Sequence, residues 1–209
     1  MTTRYLPIFP LRHVIFPGEG LNLHIFEPRY KQLVADCSQE GSTFGIPNSL
    51  YNRVGGYGTE MKIINIEKIY PNGEMDIKTE GLHVFKMLSL DKKVENKLYG
   101  GASIEFIEQI NDYDDSLQEN IIAQIQTLYE RLNIDRPIGN FRIFDVAHHI
   151  GLSQEQEYQL LQINSERERQ LYVLQHLKHI VPIIIEAEML KQKVKLNGHF
   201  RKFDPLEWE

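Results

Sequence analysis

The chain has 209 residues, which suffices for one domain or for two small, closely coupled domains. Hydrophobic residues make up 42% of the sequence and charged residues 25%, a composition typical of globular proteins that excludes disordered and collagen-like chains. The net charge is −6, and residues 1–110 are close to neutral, with 12 basic and 13 acidic side chains. This balance argues against a broad basic surface for nucleic acid.

The cysteine content and the apolar runs indicate the compartment. Cys37 is the only cysteine, which excludes an intramolecular disulfide and a cysteine-based zinc site and favours a reducing compartment. The first seven residues lack the charged and long apolar regions of a signal peptide, and the longest apolar run, residues 180–185, is far shorter than a membrane span. We therefore expect a cytoplasmic protein.

The first segments of the chain predict an edge strand, a loop and a helix. Pro7, Pro10 and Pro17 hold the backbone extended and limit its ladder hydrogen bonds, as in an edge strand that leads into a loop. A helix then begins at Pro28, because proline suits the first helical turn, and ends near Gly41.

A long hairpin and one further strand follow. Residues 57–70 are rich in β-branched side chains, residues 71–73 (Pro-Asn-Gly) favour a tight turn, and residues 74–90 form a second run. Alternating apolar residues predict another strand over residues 101–107.

Beyond an acidic linker at residues 111–116 the apolar period changes to that of helices. A short helix is predicted over residues 143–150, and a long last helix contains Pro182, which predicts a kink, and ends at Gly198. Three pairs of residues are spaced as in a capping box and predict helix starts, namely Ser116 with Glu119, Ser153 with Gln156, and Ser165 with Glu168. We predict a β-rich domain over residues 1–112 and a helical subdomain over residues 113–209.

Common catalytic motifs are absent from the sequence. No glycine-rich nucleotide loop, H-E-x-x-H or G-x-S-x-G pattern occurs, so we expect no catalytic residue and no cofactor. Ser89 and Lys92 have the S-x-x-K spacing, but they end a predicted strand without the companion motifs of that enzyme class. Cys37 lies on the apolar stripe of the first helix, where a lone cysteine is typically a small hydrophobe.

The histidine and acidic patterns predict no metal site. His176 and His179 lie on the last helix, but zinc needs three or four ligands. His148 and His149 are adjacent and would point about 100° apart on a helix, so we interpret them as one buried-edge and one exposed residue. The acidic run that begins at Asp112 lacks the glycine and the glutamate of a calcium loop.

Two neighbouring blocks of sequence carry a specific resemblance. Residues 6–18 read LPIFPLRHVIFPG and residues 21–30 read LNLHIFEPRY, which resembles the opening of the Lon protease N-terminal domain, also called the Lon substrate-binding domain. Shorter elements follow in the order expected for that family: Phe44-Gly45, Tyr57-Gly58-Thr59, the Pro71-Asn72-Gly73 turn, and Gly81 followed by Phe85.

The resemblance implies an α+β fold. A PUA-like, β-rich N-terminal half that forms a partly closed barrel would be followed by a helical half with a long, proline-kinked last helix. It also implies binding of unfolded or extended polypeptide without cleavage, because the chain carries neither the ATPase module nor the Ser–Lys peptidase module of full Lon proteases. We expect a stand-alone bacterial protein of this kind, an adaptor or holdase in protein quality control, with no nucleic-acid or membrane partner and no metal.

Two groups of residues are candidates for the site. Tyr51, Arg53 and Tyr57 lie in a loop with glycines, a composition typical of an adaptable recognition loop, and are predicted to contact polypeptide. We expect Phe26 to be buried, so that its truncation would mainly unfold the protein. The residues of the family signature are predicted to be mainly structural: His24, Phe26, Glu27, Pro28, Arg29 and Tyr30.

Two alternatives stay open at this point. RNA binding through the PUA-like half is opposed by the near-neutral charge of residues 1–110. A stand-alone hydrolase is opposed by the lack of any nucleophile–base spacing, although histidines can converge in space without a sequence signature.

Overall fold

The computed structural model describes residues 3–48, 56–135 and 137–199, and for residues 195–199 the backbone alone. The strands within these residues are β1 (Thr3–Ile8), β2 (Gly20–Ile25), β3 (Phe44–Pro47), β4 (Tyr57–Ile69), β5 (Met75–Asp91) and β6 (Gly100–Phe106). The α-helices are α1 (Pro28–Glu40), α2 (Asp115–Leu132), α3 (Ile143–Val146), α4 (Gln154–Gln162) and α5 (Glu166–His199), and a 3₁₀ turn, Ala147–His149, follows α3. The α+β class is confirmed.

The strands form a sheet that closes on itself through β5. The order is β2-β5-β4-β3-β1-β6, and β5 also pairs with β6, so that the five strands other than β2 complete a ring. Residues 75–86 of β5 pair with β4, and residues 85–91 pair with β6. A single long strand therefore belongs to both ends of the ring, which is the partly closed barrel expected from the resemblance.

Strand β2 stands outside the ring. It pairs antiparallel with residues 75–80 of β5, and within the described residues it has no second strand partner. Its burial alternates, with Leu21, Leu23 and Ile25 more buried than Asn22 and His24. β2 is therefore an edge strand with one apolar and one polar face.

The helix α1 packs its apolar stripe against the strands. Leu33, Val34 and Cys37 are buried in one cluster with Phe44 and Ile46 of β3. Pro28 occupies the first turn, and Gly41 ends the helix in the left-handed conformation at φ 64°, with its N–H donating to the Cys37 carbonyl oxygen. The predicted bounds of this helix are confirmed.

The predicted hairpin turn is also confirmed. The Tyr70 N–H donates to the Glu74 carbonyl oxygen at 2.8 Å, and the Gly73 N–H donates to the Tyr70 carbonyl oxygen at 2.8 Å. Gly73 has a φ of 75°, a conformation that glycine adopts without a steric penalty.

One of the three predicted helix starts is wrong. α2 is capped by Asp114, whose carboxylate accepts the Leu117 N–H at 3.0 Å, and not by Ser116. The aspartate lies two residues earlier and supplies an equally good acceptor, which moves Ser116 into the first turn. The capping box of Ser153 and the cap of Ser165 are confirmed, because Ser153 accepts the Gln156 N–H and Ser165 accepts the Glu168 N–H.

The chain divides into two compact units. The first comprises residues 1–112 and 141–169, and the second comprises residues 113–140 and 170–209. The end of the first segment coincides with the predicted boundary, while residues 141–169 belong to the unit that contains the strands. The predicted division at residue 112 stays a prediction.

A buried ion pair lies at the end of the first unit. An Arg169 guanidinium nitrogen lies 3.0 Å from a Glu166 carboxylate oxygen, and both side chains are almost fully buried. Glu166 also accepts the Ile143 N–H at 3.0 Å, and the Arg169 guanidinium lies 4.1 Å from the centre of the Phe144 ring. Loss of either charge would leave the other buried without the opposite charge of the pair, which is strongly destabilising.

The long helix α5 continues through Pro182, and the kink expected there stays a prediction. Its predicted end at Gly198 is not observed, since the helix extends to His199. None of the helices in the described part of the chain combines the length and the apolar composition that a membrane crossing requires.

Two glycines of the resemblance lie where a side chain has no room. A Cβ atom on Gly58 would meet the Ile46 carbonyl oxygen and would lie 2.6 Å from the Pro47 Cα atom. A Cβ atom on Gly81 would lie 2.5 Å from the Phe16 carbonyl oxygen. At both positions the nearest atoms belong to the backbone, and displacing them costs more free energy than moving the end of a flexible side chain.

We expect Gly58→Ala to lower the free energy of unfolding by about 3 kcal/mol, because overpacking against backbone is costly. Gly56→Ala is the matched control, since a Cβ atom at Gly56 meets nothing within 4 Å. In urea unfolding, the free energy of unfolding of the control should stay within about 0.5 kcal/mol of that of the unmodified protein. Equal losses for the two variants would contradict the packing described here.

Candidate functional site

Part of the signature segment, residues 24–30, belongs to the scaffold. Tyr30 is only 8% exposed, and its ring centre lies 4.1 Å from that of Phe9 in the main apolar cluster. Pro28 opens α1, and the Arg29 guanidinium pairs with the Glu27 carboxylate at 2.8 Å. These contacts orient the start of the helix.

Phe26 does not belong to the core, and the expectation that it is buried is wrong. Its side chain is 59% exposed. The reason is the alternation of the preceding strand, since Ile25 is buried and its neighbour Phe26 must then face the opposite way. Applied to residues 20–26, this two-residue period is a sequence signal that predicts the exposure.

Phe26 belongs to an aromatic group at the end of β2, formed by His24, Phe26 and Tyr70 and called the aromatic cluster below. The His24 ring centre lies 6.3 Å from that of Phe26 and 5.8 Å from that of Tyr70. The Lys68 ammonium lies 4.2 Å from the centre of the Tyr70 ring, and Ile69 beside it is mostly exposed. The cluster combines apolar ring surface with polar edges, a composition that is frequent in interfaces.

The polar edge of the aromatic cluster is held by Asp76. One of its carboxylate oxygens lies 2.7 Å from His24 Nδ1, and the other accepts the Tyr70 hydroxyl at 2.8 Å. The Nε2 atom of His24 lies 3.3 Å from a Glu74 carboxylate oxygen. The hydrogen bond with Asp76 raises the pKa of His24, and the same bond lowers the pKa of Asp76.

The open edge of β2 leads directly to this cluster. In an antiparallel pair, alternate residues direct their N–H and C=O groups toward the partner and the others direct theirs away from it. Since β5 is the strand partner of β2 in the described residues, the outward groups of β2 have no partner strand there. Edge strand and aromatic cluster form one continuous candidate surface.

The predicted recognition loop is described only at its last residue. Tyr57 is the first residue of β4 and is partly buried, and its N–H donates to the Tyr158 hydroxyl oxygen at 3.2 Å. Tyr51 and Arg53 lie outside the described residues. Their contact with polypeptide stays a prediction.

A polar groove of about 430 Å³ lies elsewhere in the first unit, with Thr43, Glu60 and Tyr99 among its lining residues. Glu60 is buried, and its two oxygens engage Thr43 Oγ1 at 2.6 Å and His83 Nδ1 at 2.7 Å. The Tyr99 hydroxyl donates to Asp36 at 2.7 Å. These buried polar groups already have partners, so the groove is a weaker candidate than the open edge of β2.

Cys37 is a buried core residue, as predicted. Its thiol lies 3.8 Å from the Thr43 carbonyl oxygen, and burial raises its pKa. A raised pKa keeps the thiol protonated and unreactive at neutral pH.

Comparisons with known proteins agree with this fold. The family model described as the ATP-dependent protease La (LON) substrate-binding domain matches residues 5–179. A Lon N-terminal domain protein from Xanthomonas campestris is similar with a TM-score of 0.66 and 24% identity, over 82% of this chain and 97% of that one. The N-terminal domain of the Mycobacterium avium complex Lon protease is similar with a TM-score of 0.63 and 13% identity, over 84% of this chain and 99% of that one.

We expect His24 to titrate above the ordinary histidine pKa of 6.5, because the imidazolium is stabilised by Asp76. The folded-state pKa is raised, so the stability from this pair is complete below the unfolded-state pKa. It is lost as the pH rises through the folded-state pKa. Asp76→Asn should return the pKa toward 6.5, as followed by an NMR titration of the ring protons.

The control for this titration is Asp36→Asn, since Asp36 pairs with Lys97 and Tyr99 and not with His24. It should leave the His24 titration unchanged. A His24 pKa at or below 6.5 in the unmodified protein would refute the proposed pairing.

Proposed function

The chain belongs to the family of the ATP-dependent protease La (LON) substrate-binding domain, and on that premise we propose that it binds extended polypeptide segments without cleaving them. The single observation that carries the proposal is the open edge of β2 beside the exposed Phe26. An extended chain can add to such an edge as a further strand, because its backbone pairs with the outward N–H and C=O groups.

The aromatic cluster supplies the side-chain part of this recognition. A bound segment that continues past Ile25 would reach Phe26, whose apolar ring is already largely exposed. Burial of an exposed aromatic ring stabilises a complex, and aromatic residues are frequent hot spots in interfaces. Glu27 and Arg29, which pair with each other and are partly exposed, would form a polar rim. We infer a preference for segments with large apolar side chains.

Tyr51, Arg53 and Tyr57 are proposed as a second contact region for the same client. The proposal rests on their composition, since tyrosine and arginine cover apolar surface while their polar ends stay in water. The role we propose is that of an adaptor or a holdase in protein quality control, in the cytoplasm. Such a role needs reversible binding and no catalytic group.

We expect Phe26→Ala to weaken binding of a fluorescently labelled, unfolded casein by at least about tenfold, the effect of removing an interface hot spot. Its Tm should stay within about 2 °C of the unmodified protein, because truncation of an exposed side chain changes stability little. Fluorescence anisotropy and thermal melting measure the two effects on the same samples.

The matched control is Leu98→Ala, because Leu98 is 63% exposed and lies outside the candidate surface. It should change neither affinity nor Tm. The triple replacement of Tyr51, Arg53 and Tyr57 by Ala tests the loop separately. If the triple variant loses binding while Phe26→Ala binds normally, the recognition surface lies on the loop and the β2 proposal fails.

A further inference from the structure

Three side chains that lie far apart in sequence converge on one point of the first unit. His13, Glu19 and His148 each place a possible ligand atom within 4.8 Å of those of the other two. His13 and Glu19 belong to the loop between β1 and β2, and His148 belongs to the 3₁₀ turn after α3. The centres of the two imidazole rings are 5.1 Å apart.

His148 is held in place from both sides. Its Nε2 atom lies 3.2 Å from Glu19 Oε2, and its Nδ1 atom lies 2.8 Å from Glu157 Oε1 of α4. Glu19 is itself oriented, because its Oε2 atom accepts the Phe16 N–H at 2.9 Å. The hydrogen bond with Glu19 raises the pKa of His148 to about 9, against the opposing effect of burial and with a further contribution from Glu157. A metal ion that binds at Nε2 would therefore displace the proton of that nitrogen to solvent.

We propose that His13, Glu19 and His148 bind one divalent transition-metal ion of the zinc class. Two imidazole nitrogens and one carboxylate oxygen are a ligand set that zinc favours, with water as a fourth ligand. The 3.2 Å between His148 Nε2 and Glu19 Oε2 is close to the separation of about 3.4 Å between two ligands of tetrahedral zinc. His13 is exposed and lies on a loop, so its ring can move until one of its nitrogen atoms reaches the ion.

The contact with Glu157 is a second argument for a metal ion. In metal sites, a histidine ligand commonly makes a hydrogen bond through its other ring nitrogen to a carboxylate, which fixes the ring and increases its basicity. Glu157 contacts Nδ1 of His148 and leaves Nε2 directed toward Glu19. The Glu19 and Glu157 carboxylates together carry two negative charges, which balance the charge of a divalent cation. The bound ion would join the loop before β2 to the turn that carries His148.

The sequence does not signal this site. Glu19 and His148 are separated by 129 positions, so no spacing motif links them. The expected contrast between one buried-edge and one exposed residue is confirmed, since His148 is partly buried and His149 is exposed. Only the tertiary fold brings the loop before β2 and the 3₁₀ turn together.

The test is a titration of the full chain with Zn²⁺ after treatment with EDTA and removal of the chelator. We expect one ion per chain in calorimetry and a Tm that rises by about 5–10 °C when free Zn²⁺ is at 100 times its Kd. Co²⁺ should give the visible absorption of a four-coordinate ion. Glu157→Gln should weaken Zn²⁺ binding by about 10–100-fold.

The decisive variant is His13→Ala, because His13 is exposed and its replacement should leave the Tm without Zn²⁺ within about 2 °C. The Zn²⁺-dependent rise in Tm should be lost in this variant and retained in His149→Ala. The double replacement of His176 and His179 by Ala should also retain it. The proposal is overturned if Zn²⁺ does not shift the Tm of the unmodified protein, or if the shift survives His13→Ala.

Discussion

The pairing of β5 with three other strands is the constraint on which the rest of the first unit depends. Residues 75–80 pair with β2, residues 75–86 with β4, and residues 85–91 with β6. The ring closes because β5 is long enough to reach both β4 and β6. β2 pairs with the part of β5 that β6 does not reach, and its other edge has no strand partner in the described residues.

The signature segment serves the fold and the candidate surface at once. Tyr30 is directed into the core and Pro28 begins α1, while Phe26 and His24 face solvent at the end of β2. Because β2 is followed closely by α1, the seven residues 24–30 include side chains that face the core and side chains that face solvent. A rigid base beneath an exposed aromatic ring favours binding, because little conformational entropy is lost when a partner arrives.

Local signals predicted the elements well and the tertiary contacts poorly. The turn at Pro71-Asn72-Gly73 and the helix between Pro28 and Gly41 follow from backbone preferences that act over a few residues, and both are confirmed. The type of residue 26 favours burial, since phenylalanine is usually buried, whereas the alternation along β2 predicts its exposure. The approach of His13 and Glu19 to His148 depends on the path of the whole chain, so no local pattern could reveal it.

Hydrogen–deuterium exchange of β2, with and without saturating unfolded casein, tests the central claim most directly. Strand addition predicts that the outward amides among residues 20–25 exchange at least about tenfold more slowly in the complex, because they gain hydrogen bonds. β6 is the internal control, since β1 and β5 already pair with its two edges. Unchanged exchange in β2, together with protection elsewhere in the chain, would contradict polypeptide binding at this edge.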